Sequence, residues 1–139
     1  MEKDTEKQFE VFNSFAQQTN NFCWTLDKPE STMSLGSTLT KKFPDLSILL
    51  LNGPLGAGKT TLVKGIAKSL RIQEPITSPT FPLSQHYPLG SPPLIHLDLY
   101  RIEEQNAANE FFLQEEEESK AIGALMVVEW PERLSLQMP

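Results

Sequence analysis

The residues of this sequence that most clearly could do chemistry form a glycine-rich turn followed by a lysine and two threonines. Residues 53–60 read GPLGAGKT, which matches every fixed position of the P-loop pattern. The glycines allow the backbone to curl so that consecutive N–H groups point inward and cradle phosphate oxygens. A helix that begins at Lys59 adds the positive end of its dipole to the same place. This stretch predicts a binding site for a nucleoside triphosphate, ATP or GTP.

The residues of the loop have separate predicted roles. The ammonium of Lys59 is expected to reach the β- and γ-phosphates, and the hydroxyl of Thr60 is expected to coordinate Mg²⁺. Thr61 is placed near the α-phosphate. The backbone cradle is expected to include Leu55, Gly56, Ala57 and Gly58.

Hydrolysis of a bound triphosphate also requires acidic residues, because a carboxylate helps to hold Mg²⁺ and a water molecule must be oriented in line. One candidate, Asp98, lies in the segment LIHLDLYRI, in which apolar and polar residues alternate. The alternation predicts a strand with His96, Asp98 and Tyr100 on a polar face. From these residues alone, Asp98 is explained equally well as a functional carboxylate and as a solvated strand residue. His96 is explained better as a hydrogen-bonded structural residue than as a base.

A second candidate, Glu129, ends the apolar part of the run ALMVVEW. A charged residue that finishes a buried strand is unfavourable unless it is paired or binds a ligand, so this position favours a functional role. Trp130 follows it and is explained better as a core or interface residue than as a catalytic one. The hydroxyl-rich segment TSPTF, which begins at Thr77, could be a switch-like loop that orders around the γ-phosphate, but these residues alone are explained better by an ordinary turn.

The surrounding segments predict an α/β fold. The apolar runs at 47–52 and 124–130 predict strands that are buried on both faces, as in a parallel sheet. A helix is predicted from Ser31 to Lys42, with Ser31 as its N-cap and Pro44 ending it. Further helices are predicted after the P-loop and in the acidic segment that follows LIHLDLYRI, whereas the proline-rich stretch between them predicts extended chain and turns. We therefore expect a mainly parallel central sheet flanked by helices, with the ligand at the carboxyl ends of the strands.

Composition and charge limit the remaining possibilities. A chain of 139 residues is large enough for one domain, and its net charge of −6 argues against a broad basic surface for nucleic acid. The single cysteine excludes an internal disulfide, and no Cys/His cluster indicates zinc. The sequence shows neither a secretory signal nor an apolar stretch of ~18 residues, which predicts a cytoplasmic protein without a membrane partner.

Four segments together carry a resemblance to a known family. In their order and at their separations, GPLGAGKTTLVKGIAKSL, TSPTF, IHLDLYRI and VVEWPER resemble the TsaE (YjeE) family. This is a family of small bacterial ATPases needed to make N6-threonylcarbamoyladenosine in tRNA. The match covers residues 22–134, which implies a TsaE-like ATPase domain at 22–139. Residues 1–21 are expected to be an N-terminal extension, either helical or loose.

The resemblance implies a P-loop NTPase fold with ATP and Mg²⁺ as its cofactors. Lys59, Asp98 and Glu129 are then the implied catalytic residues. Thr60 and Glu129 match the family's Mg²⁺ ligands, and Asp98 matches its acidic residue near the γ-phosphate.

The same resemblance implies further contacts around the nucleotide. Trp130 matches a tryptophan beside the nucleotide, and the segment ESTMSLG places Thr32 near it. The family's switch-like loop corresponds to Thr77, Ser78, Pro79 and Thr80.

The implied partners are the proteins TsaB and TsaD, of which TsaD transfers the threonylcarbamoyl group to the adenosine beside the anticodon. ATP hydrolysis by the TsaE-like chain would reset this assembly between turnovers, and tRNA would be contacted through the complex. The sequence departs from the family's pattern in its N-terminal extension and in the segment NEFFLQEEEE, which keeps Glu110 but lacks the usual glycine. The C-terminal strands that usually follow EWPERL in the family are expected to be missing, either because the chain is short or because it is truncated.

Two other functions fit a P-loop in a short chain. One is a small-molecule kinase, but such kinases usually have an arginine-rich lid, and after Lys59 this sequence has only Arg71, Arg101 and Arg133, widely spaced. The other is a nucleotide-gated binding module with negligible turnover, which the residues alone do not separate from an ATPase.

Overall fold

The structure is a computed structural model that describes residues 5–13, 18–26, 29–52, 58–77 and 83–135. Within these residues the chain forms one sheet of six strands, three α-helices and a short 3-10 helix at Pro131–Arg133. The strands are β1 Thr5–Asn13, β2 Gln18–Leu26, β3 Ile48–Leu51, β4 Ser84–Tyr87, β5 Leu94–Asp98 and β6 Leu125–Glu129. The helices are α1 Pro29–Lys42, α2 Lys59–Ser69 and α3 Gln105–Ile122.

The centre of the sheet is parallel. The strands lie in the order β2-β1-β3-β6-β5-β4, and β6 pairs in parallel with β3 on one side and with β5 on the other. Strand β4 pairs antiparallel with β5 at one edge, and β1 pairs antiparallel with β3 on the opposite side. The predicted α/β fold, with helices around a sheet that is parallel at its centre, is confirmed.

The N-terminal segment differs from the sequence expectation. Residues 1–21 were expected to be helical or loose, but β1 and β2 form an antiparallel hairpin that joins the sheet through β1. That expectation was wrong for the described part of the segment, because pairing with β3 gives a mixed polar sequence a hydrogen-bonded ladder that local propensity does not reveal. The division of the chain at residue 22 stays a prediction, and β2 runs continuously through that point.

Two apolar layers cover the two faces of the sheet. One layer joins α1 and α2 to the sheet, and the other joins α3 to it. Because side chains alternate along a strand, β6 contributes Leu125 and Val127 to the first layer and Met126 and Val128 to the second. Apolar residues at helical spacing along α2 are buried in the first layer; they are Leu62, Val63, Ile66, Ala67 and Leu70, the last of which follows the end of the helix.

Helices α1 and α2 approach each other closely through two glycines. A Cβ atom on Gly36 would overlap the backbone carbonyl of Leu62, and one on Gly65 would overlap the backbone of Met33. The hydroxyl of Ser37 also donates a hydrogen bond to the carbonyl oxygen of Gly65, at 3.3 Å. The middle of α1 is therefore held against the helix that follows the P-loop.

Two elements have boundaries that differ from the sequence prediction. Helix α1 begins at Pro29, so Ser31 lies inside its first turn and is not the N-cap. Proline is favoured in that turn because its φ angle suits a helix and its missing N–H would have no partner there. Strand β5 ends at Asp98, and the chain turns at Tyr100 and Arg101, whereas a strand had been expected up to Ile102. Among the described residues, no helix is both long and apolar enough to cross a membrane.

Candidate functional site

The predicted site residues lie where three parallel strands end and α2 begins. Asp98 is the last residue of β5, and Glu129 is the last residue of β6. The register pairs Glu129 with Asp98 on one side and with Leu51, the last residue of β3, on the other. Lys59 is the first residue of α2, which follows β3 in the chain. The sheet therefore brings two carboxylates together at the carboxyl edge, as expected for a ligand site.

Lys59 is buried and lies over an aromatic ring. Its Nζ atom is 4.1 Å from the centroid of the Trp130 ring, which is the geometry of a cation–π contact. Trp130 directly follows Glu129, and its backbone has φ 61, in the left-handed region that costs a bulky residue on the order of 1–3 kcal/mol. This conformation begins the 3-10 helix and brings the tryptophan to the P-loop lysine.

Two residues beside this contact were missed as site residues. The ring centroids of Tyr100 and Trp130 are 4.8 Å apart, with 44° between the planes. Nη2 of Arg133 donates a hydrogen bond to the carbonyl oxygen of Tyr100, at 3.0 Å. The sequence contained a signal for these contacts, since DLYR and EWPER each begin at the last residue of a strand, and β5 and β6 are neighbours in the sheet.

The pKa of Asp98 is raised above its usual value. Partial burial is the main cause, and the negative charge of Glu129 adds to it. The Tyr100 N–H, which donates to Oδ1 of Asp98 at 3.0 Å, opposes the rise, as do the nearby His96 and the Lys59 ammonium. The two carboxylates are thus close enough to repel each other, and a cation placed there would relieve that repulsion.

His96 and Glu129 form a buried pair. Nε2 of His96 lies 2.6 Å from Oε2 of Glu129, and the two side chains are 0% and 4% exposed. His96 was expected on a polar face of its strand, but that face lies on the α2 side of the sheet and is covered. The hydrogen bond agrees with the interpretation of His96 as a bonded residue and explains how the charged end of β6 is accommodated.

The residues present suit Mg²⁺ bound together with a nucleotide. Thr60 lies in the first turn of α2, and Glu129 and Asp98 end neighbouring strands, so the available donors are hard oxygen atoms. In the described part of the chain, no group of three or more His, Cys, Asp or Glu residues could hold a metal ion without other ligands. Mg²⁺ commonly takes one or two carboxylates and completes its shell with phosphates and water, so this donor set fits that ion.

The remaining predicted residues are placed as follows. Gly58 caps α2 with φ 91, which glycine adopts without strain, and Thr61 lies in the first turn. Thr32 is buried in α1, next to the Met33 backbone that contacts α2, and its place near the nucleotide stays a prediction. Thr77 is exposed, and its hydroxyl donates to Oε1 of Gln85 at 3.3 Å. Six predicted residues lie outside the described residues: Leu55, Gly56, Ala57, Ser78, Pro79 and Thr80.

Comparison with known proteins agrees with this arrangement. Residues 26–139 match the family model described as threonylcarbamoyl adenosine biosynthesis protein TsaE. The chain belongs to the TsaE family. The resemblance found in the four sequence segments is thereby confirmed.

Several relatives with the name tRNA threonylcarbamoyladenosine biosynthesis protein TsaE are similar over most of this chain. The protein from Nostoc sp. is 47% identical over 105 residues, which are 76% of this chain and 65% of that protein. The protein from Mycobacterium bovis is 42% identical, with 80% of this chain and 69% of the relative covered. The protein from Bacillus subtilis is 34% identical, with 84% and 70% covered. The chain thus spans about two thirds of the length of these TsaE-family proteins.

A solved structure shows the same fold. The crystal structure of Bacillus subtilis YdiB superposes with a TM-score of 0.57 at 27% sequence identity. The superposition covers 96% of this chain and 68% of the YdiB chain. The α/β arrangement around the P-loop is therefore shared with an experimentally determined protein.

Proposed function

We propose that this TsaE-family chain binds and hydrolyses ATP with Mg²⁺ as a subunit of the machinery that makes N6-threonylcarbamoyladenosine in tRNA. The observation that carries the proposal is the convergence of Lys59, Asp98 and Glu129 at the edge of the sheet where α2 begins. A phosphate-binding lysine beside two carboxylates is the set of groups that ATP hydrolysis requires. Membership of the TsaE family supports the role in tRNA modification.

The positive groups of the site would hold the triphosphate. The N-terminus of α2 offers the positive end of the helix dipole, and Lys59 is the charge at that end. Nζ of Lys59 rests over the Trp130 ring, so the lysine is already confined near the phosphate position before ATP binds. Preorganisation of this kind reduces the entropy lost on binding.

The oxygen donors of the site would hold Mg²⁺ and water. Thr60 and Glu129 are the proposed Mg²⁺ ligands, and the bound ion would supply positive charge to the phosphate oxygens. Asp98 lies beside Glu129 and would hold the attacking water by accepting a hydrogen bond. The raised pKa of Asp98 makes this carboxylate a better proton acceptor than an ordinary aspartate.

Hydrolysis is proposed to act on an assembly in the cytoplasm. The implied partners are TsaB and TsaD, and turnover of ATP would release or reset their complex while TsaD transfers the threonylcarbamoyl group. The net charge of −6 argues against a broad positive surface for tRNA on this chain. Contact with tRNA is therefore proposed to occur through the complex.

The test combines the chain with purified TsaB and TsaD. Phosphate release from ATP and threonylcarbamoyladenosine formation in tRNA are measured with and without Mg²⁺. We expect release without any added phosphate acceptor, which a kinase would not show. ATP binding without release, even in the presence of both partners, would instead identify a nucleotide-gated module and contradict the proposal.

A pair of lysine variants tests the assignment of the phosphate site. Lys59→Ala should abolish measurable ATP binding, because the charge at the start of α2 is lost. Lys68→Ala is the matched control, because this lysine lies exposed in the last turn of the same helix. Normal ATP affinity in Lys59→Ala, measured by calorimetry, would rule out the P-loop assignment.

A further inference from the structure

His96 is a polar residue in a place that normally holds an apolar one. It lies in the middle of β5, with fully buried apolar residues before and after it, and its own exposure is 0%. An imidazole in such a place is unfavourable unless its polar atoms are bonded. The residue therefore needs an explanation beyond filling space in the sheet.

The hydrogen bond to Glu129 gives the position of the ring proton. Nε2 of His96 contacts Oε2 of Glu129, whereas Nδ1 has no hydrogen-bond partner among the described residues. An ionised carboxylate can only accept a hydrogen bond, so the ring nitrogen that contacts Glu129 must be the donor. The proton is therefore assigned to Nε2, which donates to the carboxylate.

This bond acts on a residue of the candidate site. Glu129 ends β6 beside Asp98, and a glutamate side chain has several rotamers of similar energy. Tying Oε2 to a ring that is itself locked in the sheet removes most of those rotamers. The carboxylate would then be held in one orientation for binding Mg²⁺ together with the nucleotide.

We propose that His96 is a positioning residue for Glu129, and that its Nε2–H holds the carboxylate in the orientation that binds Mg²⁺ with the nucleotide. This inference rests on the proposed function and adds to it a residue that acts through Glu129. Hydrogen-bond donors behind a metal-binding carboxylate commonly change metal affinity or activity by about 10–100-fold. An effect of that size is expected here.

The experiment measures ATP binding by calorimetry as a function of Mg²⁺ concentration. In His96→Leu, the Mg²⁺ concentration for half-maximal enhancement of ATP binding should rise by about 10-fold or more. His96→Gln can place an amide N–H where Nε2 lies, and it should stay within about 3-fold of wild type. ATP binding in EDTA should be unchanged in both variants, because Lys59 and the P-loop are intact.

Further variants separate positioning from a merely structural role. His86→Leu removes the imidazole of an exposed His–Glu pair and should leave the Mg²⁺ dependence unchanged. His96→Asn, which is polar but too short to reach Glu129, serves if His96→Leu does not fold, and it should behave like His96→Leu. In the Glu129→Gln background, replacing His96 should cause no further loss of Mg²⁺ response.

The outcomes are distinguishable from failure of the proposed function. If ATP binding by the wild type does not respond to Mg²⁺, the proposed Mg²⁺-ATP site is wrong, and the positioning role falls with it. If the wild type responds and a folded His96→Leu or His96→Asn responds equally, only the positioning role is overturned. The same holds if His96→Gln is as defective as His96→Leu, because the donated hydrogen bond would then not be the cause.

Discussion

Two histidine–glutamate pairs in this molecule share their chemistry and differ in their surroundings. His86 of β4 lies 2.7 Å from Glu115 of α3, with side-chain exposures of 37% and 16%. His96 of β5 lies 2.6 Å from Glu129 of β6, with exposures of 0% and 4%. The bond lengths are nearly equal, so any difference in their contribution comes from burial.

The comparison shows where a polar contact has a large effect. A solvent-exposed pair is screened by water and contributes about 0–1 kcal/mol. Both members of a buried pair have lost their hydration, so removal of one member leaves the other without compensation. The buried pair also lies at the ligand edge of the sheet, whereas the exposed pair lies on the opposite face, under α3.

The largest expected effect is a difference in stability between variants of the two histidines. His96→Leu should lower the free energy of unfolding by about 3 kcal/mol or more, because the Glu129 carboxylate is left buried without its donor. His86→Leu should lower it by less than about 1 kcal/mol. Urea denaturation of both variants at neutral pH measures this difference. Equal losses would mean that the two environments are equivalent.

The next largest effect is a difference in ATP hydrolysis between variants of the two glutamates. Glu129→Gln should lower Mg²⁺-dependent ATP hydrolysis by ~10²-fold or more, because the charge that helps to hold the ion is lost. Nucleotide binding should remain measurable. Glu115→Gln removes the same charge from the exposed pair and should leave hydrolysis within about 2-fold of wild type. Full turnover in Glu129→Gln would remove this residue from the site.

Local sequence patterns were sufficient for the framework that holds the site. The apolar run before the P-loop predicted β3, the run ending in Glu129 predicted β6, and helical spacing predicted α2. These patterns succeed because a strand buried on both faces, or a helix buried on one, leaves a periodic record in the chain. The placement of Glu129 at a strand end followed from the same periodicity, whereas Asp98 was expected within a strand that continued to Ile102.

The contacts that give the site its character were not predictable in this way. His96 and Glu129 are 33 residues apart in the chain, and their bond exists only because β5 and β6 are neighbours with a fixed register. The contact of Lys59 with Trp130 depends on a left-handed backbone conformation after β6. No local pattern encodes either feature, because both arise from tertiary pairing.

A smaller difference is expected in how the coupling energies of the two His–Glu pairs depend on salt. The coupling energy of His86 with Glu115, from a double-mutant cycle, should be at most about 0.5 kcal/mol and should fall towards zero at high salt. The coupling of His96 with Glu129 should change little, since ions do not reach a buried pair. Unfolding of each single and double variant at low and high salt gives both energies. A salt-sensitive buried pair would show that water and ions enter this edge of the sheet.

The smallest expected effect concerns the carboxylate beside the buried pair. Burial and the charge of Glu129 raise the pKa of Asp98 above its ordinary value of 3.8, so the folded state holds this proton more tightly than the unfolded state. Stability therefore falls as the pH rises from the ordinary value through the raised one, and it stays lower above that window. Asp98→Asn should raise the free energy of unfolding at neutral pH by less than about 1 kcal/mol, because the carboxylate is partly exposed and its charge is screened by water.

The same variant should match the stability of the wild type at a pH below the ordinary value for Asp98, where both side chains are neutral. Thermal unfolding across the acid-to-neutral range measures the difference in stability between variant and wild type, and the advantage of the variant should increase as the pH rises. If the variant instead becomes less stable than the wild type as the pH rises, ionised Asp98 stabilises the fold. Asp98→Asn should at the same time lower hydrolysis, because the removed charge belongs to the proposed site. A gain of stability combined with a loss of turnover would identify this carboxylate, unlike Glu115 of the other pair, as one retained for function.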